Sequence, residues 1–142
     1  MSRKKISRIL VPLDGSKNSI RGLETAITIA RGCNSTITGL YCIHEQPRSE
    51  FGGGGSKDQP SPHMKKFMDA AKVLAAQNGI DFKEKIARGD IGYTIVKTAR
   101  GNPKYDMIVM GSRGRSSAKQ MIFGSISNYV IHTAVIPIVI VK

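Results

Sequence analysis

Short apolar runs of strand length alternate along this chain with segments whose apolar residues recur every three or four positions. The first run, residues 9–11, is continuously apolar, and a strand of that kind is covered on both faces, as in a parallel sheet. A helical stripe follows it, formed by Ile20, Leu23, Ala26, Ile27 and Ala30. Repetition of this pattern predicts an α/β fold, an open five-stranded parallel sheet with helices on both faces.

The predicted elements form one domain over residues 1–142. Strands are predicted at residues 6–13, 36–44, 80–87, 105–110 and 137–141. Helices are predicted at residues 16–32, 64–77, 91–100 and 125–133. Gly32 is expected to end the first helix, and Asp90 to cap the third.

Residues 45–62 interrupt the periodicity and predict a flexible loop, since they combine three prolines with a Gly-Gly-Gly-Gly-Ser run at residues 52–56. That run matches a common engineered linker unit, and a natural glycine run is the alternative.

A glycine-rich segment connects the fourth strand to the fourth helix. It begins with Gly111-Ser112-Arg113-Gly114 and ends with Gly124-Ser125. A loop that leads into a helix N-terminus presents backbone N–H groups and the positive end of the helix dipole, which favour a phosphate. Gly111 and Gly114 can adopt positive φ and let an anion approach the backbone, while Ser125 offers a hydroxyl at the helix cap. The segment therefore predicts a nucleotide site.

Several other classes of protein are disfavoured. No Gly-Lys-Ser/Thr, no Gly-x-Gly-x-x-Gly after the first strand and no His-Arg-Asp occurs, which argues against P-loop, dinucleotide and kinase sites. No apolar run approaches the roughly 18 residues that span a bilayer, and no signal-like segment is present, so the expected location is cytoplasmic. Cys33 and Cys42 are expected to be buried thiols of a reducing compartment. The three histidines show no metal-ligand spacing.

The formal net charge is +12, which favours anionic partners without choosing among them. The basic residues are scattered, as on a generally solvated surface. Any binding of nucleic acid is therefore expected to be non-specific and to weaken steeply with salt.

The spacing Gly-x2-Gly-x9-Gly-Ser over residues 111–125 resembles the nucleotide-binding motif of ATP-binding universal stress proteins. Residues 9–16, Ile-Leu-Val-Pro-Leu-Asp-Gly-Ser, are similar to the opening strand and acidic turn of that family, and residues 137–141 to its last strand. The resemblance implies a Rossmann-like sheet of order 3-2-1-4-5. It also implies a homodimer formed through the carboxyl-terminal strand, with ATP as ligand, with or without Mg²⁺, or else AMP or cyclic AMP.

The resemblance also implies a role for individual residues. Those expected near the base and ribose are Pro12, Leu13, Asp14, Ile43, Arg88 and Gly89, and Met110 and Gly111 are expected to form the floor of the site. Those expected to contact the ribose and phosphates are Gly114, Gly124, Ser125 and Ile126, and Ser112 and Arg113 lie in the same loop. In this scheme Ile43 packs on the adenine, and Arg113 or Arg115 offsets phosphate charge. The alternatives are that Asp14 caps the first helix, that the arginines are solvated, and that Ser125 is an N-cap alone.

Three functions are compatible with these features. The first is a regulatory protein, in which a bound nucleotide orders the loop over residues 112–123 and changes a surface seen by partners. The second is an ATP hydrolase. Its turnover is expected to be slow, because the loop offers no second acidic residue to act as a base. The third is a basic nucleic-acid-associated protein. The first is favoured, as a homodimeric stress-response sensor or switch.

Overall fold

Nine elements alternate in the computed structural model, which describes residues 5–44, 61–113 and 124–142. The strands are β1 (Arg8–Pro12), β2 (Thr36–Ile43), β3 (Phe82–Arg88), β4 (Met107–Gly111) and β5 (Ile138–Val141). The helices are α1 (Lys17–Cys33), α2 (Pro62–Gln77), α3 (Ile91–Arg100) and α4 (Ser125–Thr133). Every strand pair is parallel, and the order is β3-β2-β1-β4-β5. The predicted fold class and the implied strand order are confirmed.

The central strand β1 is covered on both faces. Ile9, Leu10 and Val11 are each completely buried, and alternate side chains of a strand point to opposite faces. Ile9 and Val11 pack with residues of α1 and α2, whereas Leu10 packs with residues of α3 and α4. The continuous apolar run therefore results from two separate hydrophobic cores, one on each side of the sheet.

The order of the strands determines where a crevice opens. From β1 the chain passes to β2 and β3 on one side, and then crosses to β4 and β5 on the other. Neighbouring connections diverge at the point where this reversal occurs, beyond the carboxyl ends of β1 and β4. The loops that follow these two strands contain Asp14 and Ser112.

Some helix boundaries differ from the predicted ones. Helix α1 continues through Gly32 to Cys33 and is capped by Asn34, whose φ of 57° is left-handed. Gly32 as the helix end is therefore wrong, because asparagine also tolerates this conformation. Helix α2 begins at Pro62, with Ser61 as its N-cap, so the end of the predicted 45–62 loop is helical. Residues 45–60, which include the Gly-Gly-Gly-Gly-Ser run, lie outside the described residues.

The N-caps of the last two helices test two further expectations. Asp90 caps α3 as predicted, since its carboxylate accepts a hydrogen bond from Tyr93 N at 3.1 Å. Helix α4 is capped by Gly124, and Ser125 is its first helical residue, so Ser125 as the N-cap is wrong. Within the described ranges, no helix is long and apolar enough to cross a membrane.

Candidate functional site

A cavity of about 190 Å³ lies at the carboxyl ends of β1 and β4, where the strand order reverses. One part of its wall is apolar and comes from β2, β4, α3 and α4. These residues are Leu40, Cys42, Ile91, Ile95, Met110 and Ile126. The rest of the wall comes from the last residues of β1 and β4, from the loops that follow these strands, and from the first turns of α1 and α4. Those residues are Pro12, Leu13, Asp14, Ser19, Gly111, Ser112, Arg113, Gly124, Ser125 and Ser127.

Asp14 braces the turn between β1 and α1. Its Oδ1 accepts a hydrogen bond from Ser16 N at 2.8 Å, an Asx-turn that places the carboxylate beside the cavity. Ser16 caps α1 instead, since its hydroxyl accepts from Ser19 N at 3.1 Å. The alternative that Asp14 caps the helix is therefore wrong. Gly15 between them has a φ of +84°, and a Cβ there would lie 2.8 Å from the Phe67 ring, so the turn requires glycine.

Ser112 is 1% exposed and holds the start of the glycine-rich loop with its backbone. Its N–H donates to Val141 O at 2.8 Å, and its carbonyl accepts from Gly124 N at 2.6 Å. The Ser127 hydroxyl also lies 2.8 Å from that carbonyl. These bonds close the loop at its neck, joining the residue after β4 to the residue before α4. Residues 114–123, and with them the predicted Gly114 and Arg115, lie outside the described residues.

The Ser112 side chain, unlike its backbone groups, makes no hydrogen bond to the described residues. Its Oγ is buried and has no hydrogen-bond partner among the described residues. A buried hydroxyl without a partner costs about 1–3 kcal/mol relative to a satisfied one. Since Ser112 lines the cavity, a bound molecule with a polar atom at this position would supply the missing partner.

Gly111 is required for a reason other than the predicted one. Its φ lies outside the left-handed region, and a Cβ would lie 2.8 Å from Asn18 Cγ and 2.9 Å from Asn18 O. Positive φ at Gly111 is therefore wrong. The absence of a side chain makes room for the first turn of α1 against the end of β4.

The structure brings ten of the fourteen predicted site residues to the cavity wall, and their contact with a ligand stays a prediction. Ile43, Arg88 and Gly89 lie together at the neighbouring strand ends, with Gly89 N donating to Ile43 O at 3.0 Å. They are not among the lining residues. For Ile43 the reason is strand alternation, because Leu40 and Cys42 share the face of β2 that meets α3 and Ile43 points to the other face.

Six lining residues were not predicted from the sequence: Ser19, Leu40, Cys42, Ile91, Ile95 and Ser127. Two of them could have been found, because Ile91 and Ile95 are one helical turn apart at the start of a helix that follows a strand.

Cys42 and Cys33 are free and half-buried rather than fully buried as expected. Burial in the apolar wall, with a smaller contribution from the Asp90 carboxylate, raises the pKa of the Cys42 thiol from 9.0 to about 12. Cys42 is therefore a neutral thiol at physiological pH and acts as an apolar surface. Among the described residues, no group of three or more His, Cys, Asp or Glu side chains could hold a metal ion.

Known proteins resemble the whole of this architecture. The model of the universal stress protein family matches residues 5–142. The stress response protein NhaX of Bacillus subtilis is 31% identical over 162 residues, covering 95% of this chain and 97% of that protein. Universal stress protein UspA from Lactobacillus plantarum superposes with a TM-score of 0.83 at 23% identity, covering 99% of this chain and 100% of the other.

Two further similar structures contain a ligand. A universal stress protein in complex with cAMP has a TM-score of 0.74 at 22% identity, covering 98% of each chain. The universal stress protein from Archaeoglobus fulgidus in complex with dAMP has a TM-score of 0.72 at 22% identity, covering 96% of this chain and 98% of the other.

Proposed function

The chain belongs to the universal stress protein family, and from that premise we propose that it is a cytoplasmic regulatory protein that binds an adenine nucleotide beside β1 and β4. The observation that carries this proposal is the division of the cavity into an apolar wall and a polar end with an unsatisfied, buried Ser112 hydroxyl. A nucleotide has the same division between base and sugar phosphate. The relatives in complex with cAMP and dAMP support the choice of adenine.

The base is proposed to lie against the apolar wall. Leu40 and Cys42 on β2 and Met110 on β4 belong to the core beneath α3 and α4, and their neighbours Ile91 and Ile95 close the wall from α3. A flat apolar ring gains by burial there, since each square ångström of apolar surface removed from water contributes about 25 cal/mol. The sugar is then within reach of Asp14 and Ser112, whose side chains can bond ribose hydroxyls.

The phosphates are proposed to lie at the N-terminus of α4. The first turns of α1, α2 and α3 are each capped by a side chain of the preceding residue. In the described part of the chain, no side chain caps α4. The amides at Ser125 and Ile126 belong to the group of helix-start donors that lack intrahelical partners, and the helix dipole favours an anion there. Arg113 lies on the same wall and offers a compensating charge.

Nucleotide binding is tested by thermal unfolding with AMP, cyclic AMP, ATP and adenosine. A ligand at a hundred times its Kd is expected to stabilise the protein by about 2.7 kcal/mol, seen as a higher Tm. Ser112→Ala is expected to weaken binding about three- to tenfold while leaving the Tm of the ligand-free protein unchanged or higher, because it removes an unsatisfied hydroxyl.

The matched control is Ser35→Ala. Ser35 is 6% exposed and its hydroxyl already donates to Ile6 O, away from the cavity. This variant is expected to lower the Tm and to leave nucleotide affinity unchanged. The proposal is wrong if none of the four compounds raises the Tm of the unsubstituted protein.

A twofold dimer through β5 is the second part of the proposal. Pro137 O accepts a hydrogen bond from Ile108 N in β4, and Val141 O accepts one from Ser112 N, just after β4. By alternation the backbone groups of Ile138 and Ile140 therefore face the open edge. All four residues of β5 are half-buried, and an apolar open edge favours pairing with another strand.

Sedimentation at micromolar concentration is therefore expected to show a dimer. Ile140→Pro removes an N–H from the open edge and leaves the bonds to Pro137 O and Val141 O in place, so it is expected to weaken the dimer at least tenfold. Ile140→Val keeps that N–H and should remain dimeric. A monomeric unsubstituted protein would exclude this assembly.

A further inference from the structure

One side chain joins the glycine-rich loop to the carboxyl-terminal strand. Asn18, in the first turn of α1, is 8% exposed. Its Oδ1 accepts a hydrogen bond from Arg113 N at 2.7 Å, and its Nδ2 donates to Val141 O at 3.0 Å. Arg113 belongs to the cavity wall, whereas Val141 ends the edge strand β5.

We propose that Asn18 is a positioning residue that couples occupancy of the cavity to the order of β5. The inference rests on the proposed nucleotide site and adds a route by which a bound ligand affects a surface at the edge of the sheet. Asn18 itself is not a cavity-lining residue. It acts on the ligand through Arg113 and on the edge strand through Val141.

The chemistry of the two partners requires a carboxamide. A backbone N–H can only donate and a carbonyl can only accept, so the side chain between them must offer one acceptor and one donor. Aspartate keeps the acceptor and loses the donor, and leucine of similar size loses both. The close packing of Asn18 against Gly111, where a Cβ would lie 2.8 Å from Asn18 Cγ, leaves the side chain little freedom to find other partners.

The Val141 carbonyl connects β5 to the glycine-rich loop at two points. Val141 O accepts from both Asn18 Nδ2 and Ser112 N, the latter at 2.8 Å. Ser112 and Arg113 are therefore both held to the end of β5, one directly and one through Asn18. A ligand that fixes these two loop residues therefore favours the ordered state of β5. By linkage, ordering of β5 raises the affinity for the ligand by the same factor by which the ligand favours that ordered state.

The test is amide hydrogen exchange of the peptide covering residues 134–142, measured by mass spectrometry with and without saturating AMP. In the unsubstituted protein AMP is expected to slow exchange at the end of β5 about fivefold or more, the lower end of ordinary coupling between sites. In Asn18→Leu and in Asn18→Asp the slowing is expected to fall to less than half of its value in the unsubstituted protein, the direct bond from Ser112 N to Val141 O being the route that remains. Saturating AMP separates this effect from any loss of affinity, including repulsion between phosphate and the new carboxylate.

Asn78→Leu is the matched control. Asn78 Nδ2 donates to Leu74 O at 2.9 Å at the end of α2, so its loss removes a comparable bond away from the cavity. AMP should still slow exchange in β5 of this variant.

Each outcome of this experiment is decisive. If the unsubstituted protein binds AMP but β5 exchanges at the same rate, the coupling is wrong and the nucleotide site stands. Undiminished slowing in a folded Asn18 variant also overturns the coupling through Asn18. If AMP does not bind, the exchange is measured with whichever of cyclic AMP, ATP and adenosine does bind, and binding of none of the four overturns the site and the coupling together. Asn18→Asp, which keeps the bond to Arg113, decides the matter if Asn18→Leu does not fold.

Discussion

Cys42→Phe is expected to weaken nucleotide binding at least a hundredfold and to leave the fold intact. Cys42 lies on the apolar wall next to Leu40, Ile95 and Met110. It is half-buried, so a larger side chain can extend into the open cavity without displacing the closed core. A phenyl ring in a cavity of about 190 Å³ occupies the space proposed for the base. The cavity cannot hold the phenyl ring of the variant and an adenine ring at the same time.

The measurement is titration with AMP by calorimetry, accompanied by circular dichroism to show that the variant is folded. We expect the Kd to rise at least a hundredfold, a loss of about 2.8 kcal/mol. Cys33→Phe makes the same substitution at the other half-buried cysteine, at the end of α1 and away from the cavity, and should bind normally. Unchanged affinity of a folded Cys42→Phe would show that the base does not lie against this wall.

The fold could be predicted because its signals are local. The run at residues 9–11 is apolar on both faces, which is typical of a parallel strand that is covered on both sides. The strand order came from the family resemblance, since periodicity does not say which strands are neighbours. Helix ends were harder to predict, because Gly32 and Asn34 are both able to end α1, and the left-handed conformation falls at Asn34.

The position of the site could be predicted, and part of its composition could not. Loops that follow parallel strands converge at one edge of a sheet, which placed Asp14 and Ser112 near each other. The choice between Cys42 and Ile43 depends on which face of β2 meets α3, and the strand is apolar on both faces. The requirement for glycine at position 111 depends on Asn18 in another element. Such contacts between distant residues leave no pattern in the neighbouring sequence.

Cys42 is expected to be about a thousandfold less reactive toward iodoacetamide at pH 8 than a free thiol. Its pKa of about 12, against an ordinary 9.0, lowers the thiolate fraction by that factor, and the thiolate is the nucleophile.

The raised pKa of Cys42 also makes the free energy of unfolding depend on pH. Because the pKa is higher in the folded protein than in the unfolded chain, the protonated thiol's contribution to folding stability is complete below pH 9 and is lost as the pH rises toward 12.

The rate is measured on Cys33→Ser, which leaves Cys42 as the reacting thiol, with N-acetylcysteine as the reference. The logarithm of the rate should rise steadily beyond pH 9 and level off near 12. Asp90→Ser removes the neighbouring charge and keeps a side-chain cap for α3, so it should lower the pKa of Cys42 while leaving it above 9.0, because burial is the larger cause. If the reaction rate levelled off near pH 9, water would have free access to the thiol. The apolar wall proposed for the adenine ring would then be exposed to solvent.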